Sequence, residues 1–91
     1  MTTHTIVWYR DFYDVPRMFC VAVAGRCLLF DCRFDDAHDA YSDRYAVTFV
    51  PLPPDDADAV IRAAAASAPQ RRVAVADLHF DPLRRASVAV Q

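Results

Sequence analysis

The segment DDAHD, residues 35–39, combines carboxylates and an imidazole at a spacing that suits metal binding. If the segment forms one helical turn, Asp35, His38 and Asp39 stand at positions i, i+3 and i+4 and share one face. Carboxylate and imidazole groups bind divalent cations, and a bound cation can activate water. A metal-binding module or small metal-dependent enzyme is therefore an alternative function. The simpler interpretation is an acidic loop in solvent, and we favour no metal or cofactor because this spacing is common by chance.

Two further sets of reactive side chains lie toward the end of the sequence. Asp77, His79 and Asp81 alternate along a predicted strand and would point to the same side, although a histidine paired with one neighbouring aspartate explains them equally well. The arginine pairs at 71–72 and 84–85 would suit phosphate groups. They make a nucleic-acid accessory factor a weaker alternative, because no aromatic residues alternate with them and the chain is acidic overall.

Several catalytic classes are excluded by residues that the sequence lacks. Its single glycine, Gly25, cannot build a phosphate-binding loop, which needs close backbone approach at several positions. Every basic residue is arginine and every acid is aspartate, so the chain has neither a Schiff-base lysine nor an HExxH zinc motif. No CxxC pair occurs either. The sequence favours a protein without catalytic activity, while leaving an enzyme as the alternative.

The segment WYRDFYDVPR, residues 8–17, concentrates aromatic and arginine side chains, the types that dominate binding hot spots. A chain of 91 residues cannot bury both faces of every strand, so part of this surface reaches solvent. The acidic segment at 33–43 would attract a basic partner. The predicted partner-binding residues are Tyr9, Arg10, Phe12, Tyr13, Arg17, Asp35, Asp36 and Asp39.

The main functional hypothesis is therefore a small protein that acts by docking to another protein. Such a protein would be an accessory subunit, an inhibitor or an immunity-type partner. Its partner would carry a basic surface, whereas membranes are excluded as partners and nucleic acid is disfavoured by the net charge of -2. Pairing of exposed edge strands offers a route to a homodimer.

The predicted fold class is α+β in one domain, residues 1–91. Four strands form an antiparallel meander, as a curled sheet or small open barrel, and one amphipathic helix and one or two C-terminal strands follow. The four strands are predicted at 5–10, 17–23, 26–32 and 44–50. Alternation along the first strand places Ile6, Trp8 and Arg10 on one side, with Val7 and Tyr9 on the other.

A tight hairpin is predicted at Ala24–Gly25, because glycine accepts a positive φ without steric cost. With a two-residue loop, the side chains on the core face would be Phe19, Val21, Val23, Leu28, Phe30 and Cys32. A three-residue loop would change the pairing of the two strands. The connector at 33–43 is expected to hold one helical turn capped by Asp35.

The helix is predicted over 55–67, with Asp55 capping its start and Pro69 ending it. A fifth strand follows at 71–80, then a turn with Pro82 at its second position, and a short last strand at 86–90.

Cysteine usage and apolar patterning predict a cytoplasmic protein. The three cysteines are an odd number in apolar stretches, which is typical of reduced, buried thiols. The first residues show no basic region followed by an apolar run, as a signal peptide would. The longest apolar run, at 18–24, is far shorter than the roughly 20 residues of a membrane span.

Overall fold

The computed structural model describes residues 2–80 and 87–90, and side chains within residues 3–80. The predicted turn at Pro82, and also Asp81, Arg84 and Arg85, lie outside these residues. In chain order, the elements are β1 (Thr2–Tyr13), β2 (Val15–Val23), β3 (Arg26–Asp31), β4 (Phe34–Asp35), β5 (Ala40–Tyr41), β6 (Arg44–Val50), α1 (Ala57–Ala65), β7 (Arg71–Ala74), a 3-10 turn (Val75–Asp77), β8 (Leu78–Phe80) and β9 (Ser87–Val90). The chain has a small α+β fold with one helix in its described part and antiparallel strand pairs.

Seven strands form one sheet in the order β7-β6-β3-β2-β1-β9-β8, and β4 pairs with β5 separately. The strand predicted over 71–80 is in fact two strands, because the 3-10 turn Val75–Asp77 divides it. The amide of Val75 donates to the carbonyl of Asp43 at 2.8 Å, which holds this turn beside the start of β6. As a result, β7 and β8 lie at opposite edges of the sheet although three residues separate them.

The tight hairpin predicted at Ala24–Gly25 is confirmed, and its loop has two residues. Ala24 has φ 51° and Gly25 has φ 75°, the paired positive values of a type I′ turn. Val23 therefore pairs with Arg26, and Phe19 pairs with Phe30. Val23 itself lies outside the core, since it is exposed at the end of the hairpin.

The first of two cores, here called the aromatic core, is built around three rings. Phe19 stacks on Phe30 with ring centroids 4.6 Å apart, and Tyr45 meets Phe19 edge-on at 5.4 Å. The Tyr45 hydroxyl donates to the carbonyl of Pro16 at 2.6 Å, so the one polar atom of this ring is satisfied. The buried residues of the aromatic core are Ile6, Phe19, Val21, Phe30, Cys32, Tyr45, Val47 and Leu78.

The opposite face of the sheet is covered by α1 and holds the helix-side core. Asp56, one residue later than predicted, caps the helix: its side chain accepts a hydrogen bond from the Ala59 amide at 3.1 Å. The buried residues of the helix-side core are Cys20, Cys27, Leu29, Val50 and Val60. No helix within the described residues is long and apolar enough to cross a membrane.

Cys20 and Cys27 form a disulfide within the helix-side core, with their Cα atoms 6.1 Å apart. Cys27 pairs with Ala22 on β2, so Cys20 is its diagonal neighbour on the same face of the hairpin. The prediction of three reduced thiols is therefore wrong for this pair. Cys32 is a free, buried cysteine.

Strand β1 carries a β-bulge that divides its side chains between the two cores. Ile6 pairs with Val21, and two residues later Trp8 pairs with Cys20, only one step back along β2. Ile6 consequently joins the aromatic core, whereas Trp8 packs against the helix-side core. The Trp8 indole nitrogen donates to the carbonyl of Pro54 at 2.7 Å. Strict alternation placed Ile6 and Trp8 on one side, and the extra residue of the bulge makes that prediction wrong.

Candidate functional site

The acidic connector forms the β4–β5 hairpin and not the predicted helical turn. The Asp35 side chain accepts a hydrogen bond from the Ala37 amide at 3.0 Å, and the Asp35 carbonyl accepts one from the His38 amide at 3.2 Å. Asp39 has φ 50°, a left-handed conformation that aspartate tolerates better than most residues. These local bonds reverse the chain between Phe34 and Tyr41, which pair across the hairpin.

The structure does not assemble the proposed metal ligands. His38 Nδ1 lies 2.6 Å from a carboxylate oxygen of Asp35, but the imidazole is 81% exposed. Among the described residues, no three potential ligands of these types come together. Asp77 belongs to the 3-10 turn and His79 to β8, so the regular alternation predicted for the second set does not occur.

The hairpin instead brings aromatic residues against the tip of β1 and β2. Tyr13 and Tyr41 have ring centroids 5.7 Å apart, and Phe34 meets Tyr41 edge-on at 5.2 Å. Together they border a concave surface of about 660 Å³, which we call the tyrosine groove. The residues that line the tyrosine groove are Tyr13, Arg17, Phe34, Asp39, Ala40 and Tyr41.

Arg17 is held firmly at the inner end of the tyrosine groove. Its guanidinium carbon lies 4.5 Å from the centre of the Tyr41 ring and 6.0 Å from that of Tyr13. Its Nε donates to the Tyr13 carbonyl at 2.9 Å, and another guanidinium nitrogen lies 3.6 Å from the sulfur of Cys32. Because each contact restricts the same side chain, Arg17 fixes the spacing of the two tyrosines.

The structure brings Tyr13, Arg17 and Asp39 together from the predicted site and places the others around them. Tyr9 and Phe12, both on β1, contact each other with ring centroids 6.0 Å apart, and neither lines the tyrosine groove. Asp35 and Asp36 lie in the β4–β5 hairpin, exposed to solvent.

Arg10 faces the helix. Its guanidinium lies 3.2 Å from the Asp58 carboxylate and over the Trp8 ring at 5.9 Å. Arg10 therefore serves the packing of α1 on the sheet, and the structure does not bring it to the tyrosine groove.

Sequence reasoning missed Phe34 and Tyr41, which supply two of the three rings of the tyrosine groove. Both lie within the acidic segment at 33–43, which was interpreted as a solvated connector. The available signal was their position on either side of Asp35–Asp39, because aromatic residues on the two sides of a short loop suit a cross-strand pair.

The tyrosine groove combines aromatic faces with one carboxylate and one guanidinium group. Its aromatic faces attract cations, and the Asp39 carboxylate accepts hydrogen bonds from them. The thiol of Cys32 is buried and donates to the Ser42 carbonyl at 3.0 Å, so it is not presented to the groove as a nucleophile.

The comparisons with known proteins add no relative. No protein-family model matches the chain, and no curated protein or solved structure shows significant similarity to it.

Proposed function

We propose that the protein docks to another protein through the tyrosine groove, and that the partner inserts a basic segment there. Such a protein would serve as an accessory subunit, an inhibitor or an immunity-type partner. The observation that carries the proposal is the exposure of aromatic residues in a preformed groove: 62% of Tyr13 and 46% of Phe34 are accessible to solvent.

Charge complementarity selects the chemistry of the partner. Asp39 lines the tyrosine groove, and Asp35 and Asp36 extend the acidic surface along the same hairpin. Arg17 is the one cation among the lining residues, and its face is already engaged by Tyr41. An arginine or lysine of a partner would meet the free faces of Tyr13 and Phe34 with carboxylates beside it.

The groove is also organised before a partner arrives. The contacts of Arg17 with Tyr13 and Tyr41 restrain these side chains, so docking loses less conformational entropy than it would with mobile ones. Preorganised aromatic residues of this kind are typical of binding hot spots.

We extend the proposal to the shape of the sheet and to the setting of the protein. A connection of three residues spans at most about 14 Å, which supports a sheet curled into a small open barrel because β7 and β8 lie at its two edges. A cytoplasmic location and dimerisation through edge strands remain part of the proposal. The Cys20–Cys27 disulfide weighs against the cytoplasm, where thiols are kept reduced.

Alanine substitution in the groove provides the test. Tagged wild-type protein and a Tyr13→Ala/Phe34→Ala variant are used to capture partners from a lysate of the cell of origin. Because both rings are substantially exposed, the variant should keep a melting temperature close to wild type. We expect the wild type to retain a near-stoichiometric protein with a basic surface and the variant to lose it.

Phe49→Ala is the matched control, since Phe49 is 44% exposed on β6 and does not line the tyrosine groove. It should capture the same protein as the wild type. Equal capture by the Tyr13→Ala/Phe34→Ala variant would show that docking does not use this groove, and a wild type that binds no protein would refute the proposal itself.

A further inference from the structure

A second concave surface lies on the helix side of the sheet and is lined by three arginines. It encloses about 300 Å³ beyond the C-terminal end of α1. We call it the arginine groove, and its lining residues are Asp31, Arg33, Ser42, Arg44, Ala46, Pro69 and Arg72. The groove shares no lining residue with the tyrosine groove.

The register of three strands explains the concave shape. Ala46 on β6 pairs with Asp31 on one side and with Arg72 on the other. Paired residues point to the same face, so the methyl group of Ala46 stands between the larger side chains of Asp31 and Arg72 and leaves a depression between them. The register thus positions Arg72 from β7 and Arg44 from β6 around a floor formed by Ala46.

The charges of the arginine groove are only partly neutralised. Asp31 accepts from Arg33 at 3.1 Å, whereas neither Arg44 nor Arg72 has an ion pair among the residues that the structure describes. The lining therefore carries two more positive than negative charges.

We propose that the arginine groove binds the phosphate group of a small phosphorylated molecule. A phosphate monoester carries a charge of about −1.5 to −2 at neutral pH, which matches the excess positive charge of the lining. Each guanidinium fork can donate two hydrogen bonds to phosphate oxygens, a geometry that lysine does not offer. A cavity of this size is at the lower end of small-ligand sites and suits a compact ligand.

Titration with inorganic phosphate tests the proposal on the full chain. The ¹⁵N-labelled protein, in a phosphate-free buffer of constant ionic strength, is followed by amide chemical shifts. We expect saturable shifts at 42–46 and 71–74. Arg72→Gln should raise the Kd by about tenfold, since it removes charge-assisted hydrogen bonds.

Arg71→Gln is the matched control because it removes the same charge from the adjacent residue of β7. Arg71 pairs with Val47 of the aromatic core and so belongs to the opposite face of the sheet. It should change the Kd by less than about twofold, the effect of a screened, distant charge. Circular dichroism spectra verify folding, and Arg44→Gln replaces Arg72→Gln if the latter does not fold.

Two results would overturn the proposal. Shifts that fail to saturate, or an equal weakening by Arg71→Gln and Arg72→Gln, would mean that phosphate responds only to the general charge of the surface. A single-stranded dT oligonucleotide that binds more tightly than phosphate, with both arginines contributing equally, would assign the surface to nucleic acid. Failure of this site leaves the tyrosine groove unaffected, because the two share no lining residue.

Discussion

The two faces of strands β2, β3 and β6 bury side chains of different kinds. On one face, Phe19, Phe30 and Tyr45 make ring contacts between 4.6 and 6.0 Å. On the other face, Val60 of α1 packs on small side chains such as Cys20 and Cys27. The large rings fill the aromatic core through their own volume, whereas small side chains let the helix approach the sheet closely.

This difference extends to the two candidate sites. The aromatic core ends at the bond from Tyr45 to Pro16, next to Arg17, and its ring packing continues outward into the tyrosine groove. The arginine groove lies on the helix-side face, where Ala46 and Asp31 of the sheet and Pro69, beyond α1, are among its lining residues. One site is thus formed mainly by aromatic rings and the other mainly by charged side chains.

The largest expected effect tests which face contributes more stability. Phe19→Ala should lower the free energy of unfolding by about 3–5 kcal/mol, because Phe19 is fully buried and touches three other rings. Val60→Ala, at the centre of the helix-side core, should cost about half as much since it removes fewer methyl and methylene groups. Urea unfolding measures both. Equal losses would show that the helix-side core loses more free energy per deleted methyl or methylene group than the aromatic core does.

Local sequence signals were sufficient to predict the β2–β3 hairpin and its faces. Gly25 identified the turn and alternation indicated the two faces, whereas the pairing of Phe19 with Phe30 follows from the two-residue loop that the structure shows. The helix was predicted from aspartates, small apolar residues and Pro69, with an error of one residue at its cap. The hairpin turn and the helix depend on residues that are close together in the sequence, so they can be predicted without knowing the fold.

Features that depend on long-range packing were not predictable in the same way. The bulge between Ile6 and Trp8 has no glycine or proline to mark it, and it exists because each side chain finds a different core. The contact of Arg17 with Tyr41 joins residues brought together by the β4–β5 hairpin. In this hairpin, the Ala37 amide donates a hydrogen bond to the Asp35 side chain, and the predicted helical turn does not form.

The next largest expected effect on the free energy of unfolding comes from the disulfide, which lies in the helix-side core. Cys20 and Cys27 are 7 residues apart, and closing a loop of this length contributes about 2–3 kcal/mol through the entropy of the unfolded chain. Unfolding under reducing conditions should therefore show a stability loss of that size. A Cys20→Ala/Cys27→Ala variant should be insensitive to the reductant, whereas Cys32→Ala should respond as the wild type does.

Thiol counting supplies an independent check of the same pairing. Oxidised protein, denatured and alkylated, should react at Cys32 alone. Three reactive thiols would mean that the helix-side core is closed without a covalent bond, and would support the cytoplasmic setting proposed above.

The smallest effect concerns the only polar atom of the three central rings. Burial raises the pKa of Tyr45 well above the ordinary value of tyrosine, and the nearby Cys32 adds to this rise while Arg17 opposes it. At neutral pH, Tyr45→Phe should cost about 1 kcal/mol for the lost hydrogen bond to Pro16.

The free energies of unfolding of the wild type and Tyr45→Phe should approach each other as pH rises. This pH dependence distinguishes the contribution of the Tyr45 hydroxyl from that of its ring. Above about pH 10, the unfolded chain releases the tyrosine proton while the folded chain retains it, so wild-type stability falls by up to roughly 1.4 kcal/mol per pH unit. Tyr45→Phe has no such proton to release and should lose about 1.4 kcal/mol less than wild type by pH 11. Val47→Ala, which weakens the same core but keeps the hydroxyl, should retain the wild-type slope. Parallel pH profiles for wild type and Tyr45→Phe would show that the folded state releases this proton as readily as the unfolded chain, and that the aromatic core is open to water at Tyr45.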